Sequence, residues 1–325
     1  MEQILVTGGT GFLGYHIVNE AIGQCYAVKA IVRKHSDVSF LSQLDCHIIY
    51  GDITSKQDVT EAVKGCHYVI HCAAKTSQTG KLNEFIPVNV TSIQLIIEAC
   101  HHFNVKRLVY ISSANSFTNG TKINPGTEDS GFMPWLQKSG YAMSKHMAQN
   151  MLQKACNDKN IDAVIVAPTF MIGAYDVKPS SGKLLLQGLK RIALYPPGGK
   201  CFVSVTNVAN ATVNALKKGK SGEAYLLAGI NLTYGEFFRI VGKNSSKKQI
   251  LIKVPGLILK LAGLIGDLLI SMGNDVSYNS LNIRLLMLSN YFSNHKAKKE
   301  LGLKDTEINS SVQDAIDWFT ENNYI

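Results

Sequence analysis

Short apolar runs alternate with longer stretches of helical periodicity through the first half of the chain. Ile4-Leu5-Val6 leads into a helix pattern beginning near Phe12, and Val28-Lys29-Ala30-Ile31-Val32 is the next run. The series continues with His47-Ile48-Ile49-Tyr50, Tyr68-Val69-Ile70-His71-Cys72, Arg107-Leu108-Val109-Tyr110-Ile111 and Ala163-Val164-Ile165-Val166. Between them, helical spacing of apolar positions predicts helices at 56–64, 90–103 and 141–157. Strands this short and this continuously apolar are buried on both faces. That requires a parallel sheet covered by helices on either side. Right-handed crossovers then make it doubly wound.

Beyond Pro168 the alternation breaks up. Pro179-Ser180-Ser181-Gly182 and Pro196-Pro197-Gly198-Gly199 are loop signals. Phe202-Val203-Ser204-Val205 and Ala224-Tyr225-Leu226-Leu227 predict short strands with a helix at 208–217 between them, and the chain from Thr233 onward is expected to be mostly helical, closing in 312–322. The expected division is a parallel-sheet domain over 1–168, with contributions from about 201–228, and a smaller lobe from 169–200 and 229–325. The lobe would cap the cleft at the strand C-termini, where open α/β sheets bind ligands.

The stretch 254–270 is apolar, but Lys260 and Asp267 interrupt it before an uncharged run reaches spanning length. A buried or substrate-covering helix is expected there rather than a membrane anchor, with contact to a membrane surface as the alternative.

Hydrophobic residues make up 46% and charged residues 18% of the 325 positions, as in globular proteins. The net charge of +9 is unevenly placed. Residues 1–165 carry 14 Lys/Arg against 13 Asp/Glu, and 166–325 carry 19 against 11. An anionic substrate, an anionic membrane surface or a solvated face would each account for a basic second half. The seven scattered cysteines form no CxxC pair and no zinc pattern, which reads as free thiols in a reducing compartment. No secretion signal is seen at the N-terminus, so a cytoplasmic protein is expected. Triplets such as Asn89-Val90-Thr91 then carry no glycosylation meaning.

Two clusters carry chemistry. The first is the turn Gly8-Gly9-Thr10-Gly11-Phe12-Leu13-Gly14, between the first strand and first helix. Glycines spaced GxxGxxG let backbone N–H groups approach a dinucleotide pyrophosphate at a helix N-terminus. The second is Ser112-Ser113, at the end of the strand 107–111, followed by Tyr141-Ala142-Met143-Ser144-Lys145. Tyr141 and Lys145 are four apart and share a helix face. A nearby ammonium favours the phenolate, and bringing a phenol from about 10 towards 7 takes roughly 4 kcal/mol. Ser113 would hydrogen-bond a carbonyl oxygen that Tyr141 protonates.

With these pieces in place the chain resembles an extended short-chain dehydrogenase/reductase of the NAD-dependent epimerase/dehydratase superfamily. Gly51-Asp52-Ile53-Thr54, His71-Cys72-Ala73-Ala74, Pro168-Thr169-Phe170, Phe202 to Ala209, Tyr291 to Ala297 and Ala315 to Phe319 also match, so the likeness covers nearly the whole chain. The resemblance implies a Rossmann-type doubly wound sheet with a smaller, mostly helical C-terminal lobe. It makes Tyr141 the catalytic acid/base, Lys145 a ligand of the nicotinamide ribose and Ser113 the carbonyl-orienting serine, with Ser112 the alternative. Gly8, Thr10, Gly11, Phe12, Leu13, Gly14, Asp52, Ile53, Ala73, Ala74 and Pro168 would line the cofactor. A homodimer through the helices at 90–103 and 141–157 is implied as well.

The second strand selects the cofactor. NAD enzymes place an acid at its end to hold the ribose 2′-OH. Here Val32 stands there, followed by Arg33 and Lys34, which suit a 2′-phosphate. NADP(H) is therefore expected over NAD(H). Val28 to Arg33 resembles the dihydroflavonol reductase and cinnamoyl-CoA reductase branch. Features usual in nucleotide-sugar enzymes are replaced by Ser116-Phe117-Thr118, Lys200-Cys201 and Ala167-Pro168-Thr169-Phe170. Phe117, Phe132, Trp135, Phe170 and Met171, with Met133, are candidates for an apolar pocket wall. The expected activity is an NADP(H)-dependent carbonyl/secondary-alcohol oxidoreductase on a small, moderately apolar substrate, with no metal and no nucleic-acid partner. The rivals are a nucleotide-sugar epimerase/dehydratase with tightly bound NAD and a non-enzymatic NADPH-binding regulator.

Overall fold

The computed structural model describes residues 1–77, 79–245, 248–274, 276 and 278–325. The first half runs β1 (Gln3–Thr7), α1 (Phe12–Gly23), β2 (Ala27–Val32), β3 (Cys46–Tyr50), α2 (Lys56–Val63), β4 (Tyr68–His71), α3 (Ser92–His102), β5 (Arg107–Ile111), α4 (Gly140–Asn157) and β6 (Ala163–Pro168). The second half adds β7 (Phe170–Ile172), α5 (Gly182–Gly188), β8 (Ile192–Tyr195), β9 (Gly199–Ser204), α6 (Val205–Asn214), β10 (Ala224–Leu227), β11 (Ile230–Thr233) and α7 (Tyr234–Asn244). It closes with β12 (Ile250–Lys253), α8 (Gly256–Ser271), α9 (Ser280–Met287), β13 (Ser289–Asn290), α10 (His295–Leu301) and α11 (Ile308–Glu321).

Seven strands form one parallel sheet in the order β10-β6-β5-β4-β1-β2-β3. Strand alternation divides its side chains between two cores. Ile4 and Val6 of β1, and Val164 and Val166 of β6, join Ile17 of α1 and Val208 of α6 on one face. Leu5, Ala163 and Ile165 point the other way, onto Val59 of α2, Ile96 of α3 and Leu152 of α4. Each fully buried Val, Leu or Ile contributes about 1.5–3 kcal/mol. The chain leaves β1 towards β2 and β3, then returns to β4 on β1's other side. The crevice at the C-terminal ends of β1 and β4 is thus the topological switch point.

From Thr233 onward the chain is mostly helical, as expected, but the second half also holds short strands that the pattern did not announce. β9 pairs with β11, β13 and β7 in a small sheet, and β8 pairs with β12 in a two-stranded ribbon. The segment 201–228 is shared between the layers: β9 belongs to the small sheet, whereas α6 and β10 complete the large one. Phe202 of β9 stacks on Phe237 of α7, with ring centroids 4.1 Å apart, and anchors the lobe's own core.

The 254–270 stretch corrects an expectation. It forms α8, but of its residues only Gly263 and Gly266 are buried, and Leu257, Leu261, Leu264 and Leu268 are each more than half exposed. The apolar run identified the helix; the packing of its glycine side on α9 decided which face water sees.

Candidate active site

β1 ends at Thr7, and Gly8 takes a left-handed φ of +74°. A Cβ on Gly8 would lie 2.7 Å from the Ala73 nitrogen, just past β4. Gly14 is pressed against the same turn, where a Cβ would lie 1.9 Å from the Gly8 carbonyl oxygen. That carbonyl accepts the Gly11 N–H at 3.0 Å. Thr10 and Phe12 are half-buried, Leu13 is in the core and Gly11 is exposed. No acidic residue occupies the first turn of α1, so its positive end is unopposed. A backbone cradle open at a helix N-terminus fits a pyrophosphate.

A buried hydrogen-bond chain supports this turn, and sequence reasoning missed it. The Ala73 N–H donates to Thr7 Oγ1 at 3.1 Å, and Thr7 Oγ1 stands 2.8 Å from His71 Nδ1. On the other side of the ring, Nε2 is 3.2 Å from Ser92 Oγ, which donates to the Val88 carbonyl. Ser92 therefore accepts from Nε2–H, and Nδ1 accepts from Thr7. Burial, and secondarily the Lys145 charge, push the His71 pKa down to about 3, so the ring is neutral. Asn89 sits nearby in a wide helical turn, 1% exposed. Its Oδ1 accepts the Lys75 N–H at 2.7 Å, and its Nδ2 donates to the Lys75 carbonyl at 3.0 Å and to Ser144 Oγ at 2.9 Å. Ser144 donates in turn to the Tyr141 carbonyl at 2.8 Å. In sequence, Asn89 stood out only as an Asn-x-Thr triplet. The partners that give it a role are 14 and 55 positions away.

The other end of the crevice brings Arg33 and Asp52 together. Val32 is buried, while Arg33 and Lys34 are exposed just past β2. Asp52 follows β3; its carboxylate accepts from the Thr54 N–H and hydroxyl, both at 2.8 Å. These hydrogen bonds, aided by the Arg33 charge, hold its pKa below the usual carboxylate range. Ile53 is half-buried against the sheet core, and Ala73 and Ala74 are half-buried across the crevice. Pro168 is buried at the end of β6.

Ser113, Tyr141 and Lys145 meet beyond the ends of β4 and β5. Ser139 caps α4 by accepting the Ala142 N–H, which places Tyr141 in the first turn. The Ser113 side chain acts on the Tyr141 hydroxyl, lowering its pKa, and its Oγ accepts the Asn115 N–H at 3.2 Å. Ser112 points away into the core, donating to Gln149 Oε1 at 2.8 Å. Lys145 is 3% exposed. Its Nζ donates to the Ile111 carbonyl at 2.7 Å and lies 4.8 Å from the Tyr110 ring centroid. Burial lowers the Lys145 pKa to about 8. Burial raises that of Tyr141, against a lowering by Ser113. Lys145 alone therefore does not draw Tyr141 towards phenolate. With its ammonium on the Ile111 carbonyl, the protein's own groups keep the phenol protonated. Cys72, the third polar neighbour, is pushed up to about 11 by burial and stays a thiol.

The five aromatic and sulfur side chains expected at a pocket wall do not gather in one place. Phe132 stacks on His146 at 4.2 Å, and Trp135 lies under the Arg284 guanidinium at 4.3 Å. Both pack around Met133, Leu136, Leu285 and Ala142, the residue after Tyr141 on α4. Phe117 is 4% exposed in the core beneath the sheet. Phe170 meets Phe202 edge-on in the lobe core, and Met171 packs on the cluster of α1 and α6.

Residues 4–228 match the family model described as the NAD dependent epimerase/dehydratase family. The chain is similar to sterol demethylase protein B of Methylococcus capsulatus, with 27% identity over 99% of each chain. It is also similar to a putative dihydroflavonol 4-reductase of Synechocystis sp., with 28% identity over 100% of this chain and 96% of the relative. The crystal structure of gox2253 superposes over 100% of both chains, with a TM-score of 0.88 and 26% identity.

Proposed function

The chain belongs to the NAD dependent epimerase/dehydratase family and is an enzyme of the short-chain dehydrogenase/reductase type, and from that premise we propose that it is an NADP(H)-dependent oxidoreductase interconverting a carbonyl and a secondary alcohol. The Ser113 side chain acting on the Tyr141 hydroxyl, beside the buried ammonium of Lys145, carries this reading. A bound nicotinamide would supply the hydride in reduction and accept it in oxidation. Ser113 holds the substrate oxygen, and the Tyr141 hydroxyl, kept protonated by burial, gives its proton to that oxygen as negative charge develops. In oxidation the same two groups act in reverse. Lys145 supplies donors to the ribose, and Gly8, Gly11 and Gly14 hold the pyrophosphate.

Arg33 and Lys34, exposed where an acid would exclude a 2′-phosphate, support NADP(H). The apolar cluster of Phe132, Met133 and Trp135 around Ala142, the residue after Tyr141, supports a moderately apolar substrate. The similarity to a protein named for sterol demethylation points to polycyclic alcohols and ketones as the first to try. A homodimer through α3 and α4 belongs to the same proposal.

Replacing Tyr141 with Phe tests it. Oxidation of NADPH by a ketone substrate should fall by a factor of about 10²–10⁴, with nucleotide affinity retained. Undiminished turnover would overturn the mechanism.

One observation favours a second reading. The ammonium of Lys200 on β9 has no hydrogen bond or ion pair among the described residues, and burial lowers its pKa to about 8. Such a cation suits an anionic substrate, including the diphosphate of a nucleotide sugar. The copurifying cofactor separates the two: tightly held NAD favours an epimerase, and exchangeable NADP(H) favours the oxidoreductase.

A further inference from the structure

α8 turns to solvent an apolar stripe that nothing else in the described chain covers. Leu257, Leu261, Leu264, Ile265, Leu268 and Met272 are each more than half exposed. At 3.6 residues per turn they fall within an arc of about 100°. The orientation is fixed by the opposite side. A Cβ on Gly266 would lie 1.9 Å from the Tyr278 carbonyl oxygen, and one on Gly263 would lie 3.1 Å from Ser280 Cα. The helix packs on its partner only with its glycines inward, which leaves the leucines outward.

A second apolar surface leads into this one. Ile192 pairs with Ile250 and Leu194 with Ile252 across the β8–β12 ribbon, and all four side chains are exposed. Their neighbours Ala193 and Leu251 turn inward to the lobe core. The Val254 N–H donates to the Tyr195 carbonyl at 2.8 Å, tying the ribbon's end to the start of α8.

Charge identifies the occupant. Residues 177–222 contain eight Lys/Arg and no Asp or Glu, and residues 237–266 contain six and none. Both ribbon strands and most of α8 lie in these stretches. Lys190, Arg191, Lys248, Lys253 and Lys260 are exposed, and among the described residues none makes an ion pair. A second copy seated on this surface would set lysine against lysine. Anionic lipid headgroups beside acyl chains satisfy both the charge and the apolar stripe. The helix lies along the surface rather than across it: 16 residues reach about 24 Å, short of a hydrocarbon core of about 30 Å. No helix of the described chain is long and apolar enough to cross a membrane.

We propose that α8, with the outer face of the β8–β12 ribbon, binds the surface of an anionic lipid membrane, its leucine stripe at the boundary between headgroups and acyl chains. The proposal does not depend on which reaction the enzyme catalyses. The test is sedimentation of the full chain with vesicles of phosphatidylcholine alone and with about 30% phosphatidylglycerol added. The anionic vesicles should carry most of the protein down, and the neutral ones little. Leu261→Glu with Ile265→Glu should reduce the bound fraction about tenfold or more while nucleotide binding and thermal midpoint hold. Ile123→Glu, at another exposed apolar position, should leave binding unchanged. Failure to bind anionic vesicles, or binding indifferent to the double substitution, would overturn the proposal. So would a dimer in free solution that Ile265→Glu dissociates, since a second copy would then be the occupant.

Discussion

The Nζ of Lys145 donates a 2.7 Å hydrogen bond to the carbonyl of Ile111, the last residue of β5. Two residues later the chain presents Ser113, and one helical turn earlier on α4 stands Tyr141. The bond therefore ties α4 to the strand end that carries Ser113. Burial is what lets the lysine lose its charge more easily than usual; the carbonyl and the aromatic face of Tyr110 favour the ammonium.

Burial lowers Lys145 from 10.5 to about 8. The cation is complete well below that value and is lost as pH rises through it. The unfolded chain keeps the proton to higher pH, so this group's contribution to stability rises with pH between about 8 and 10.5. Dinucleotide affinity should move the opposite way, weakening as pH passes 8 and the ammonium is lost. Fluorescence titration of NADPH from pH 7 to 9.5 measures this, and Lys145→Met should flatten the profile. A profile shared by the two proteins would remove Lys145 from the ribose site.

The adjacent serines should separate cleanly. Ser113→Ala removes the side chain that lowers the Tyr141 pKa and the proposed contact to the carbonyl, and should lower kcat about 10²-fold with little change in thermal midpoint. Ser112→Ala strips a partner from the buried Gln149 and should cost about 1–3 kcal/mol of stability, with the chemistry spared. Steady-state kinetics beside thermal unfolding of both variants decide between them. The reverse pattern would exchange their roles.

Arg33 is expected to act on one cofactor only. Arg33→Ala should weaken NADPH binding by about tenfold or more through loss of a charged contact to the 2′-phosphate, and leave NADH nearly unchanged. Calorimetric titration with both nucleotides checks this. Equal losses would mean that Arg33 meets a part common to both nucleotides, and the NADP(H) preference would lose its support.

The strand series, the glycine turn and the Tyr141–Lys145 pair were legible in the sequence because each rests on a short-range rule. Continuous apolar runs mark doubly covered strands, glycine permits a left-handed φ, and residues four apart share a helix face. Nothing that local distinguishes Ser112 from Ser113. The end of β5 had to be set against α4 before one faced Gln149 and the other Tyr141. His71 and Asn89 were opaque for the same reason: a buried imidazole and a buried amide acquire roles only from Thr7, Ser92, Lys75 and Ser144, which folding brings together. The pairings of β9 with β7, β11 and β13 are also non-local, and segments of two to six residues hold too little pattern to announce them. On α8 the sequence by itself determined a helix and an apolar stripe. Only tertiary packing decided that the stripe faces outward, because the two glycines, and not the leucines, fit against the backbone beneath.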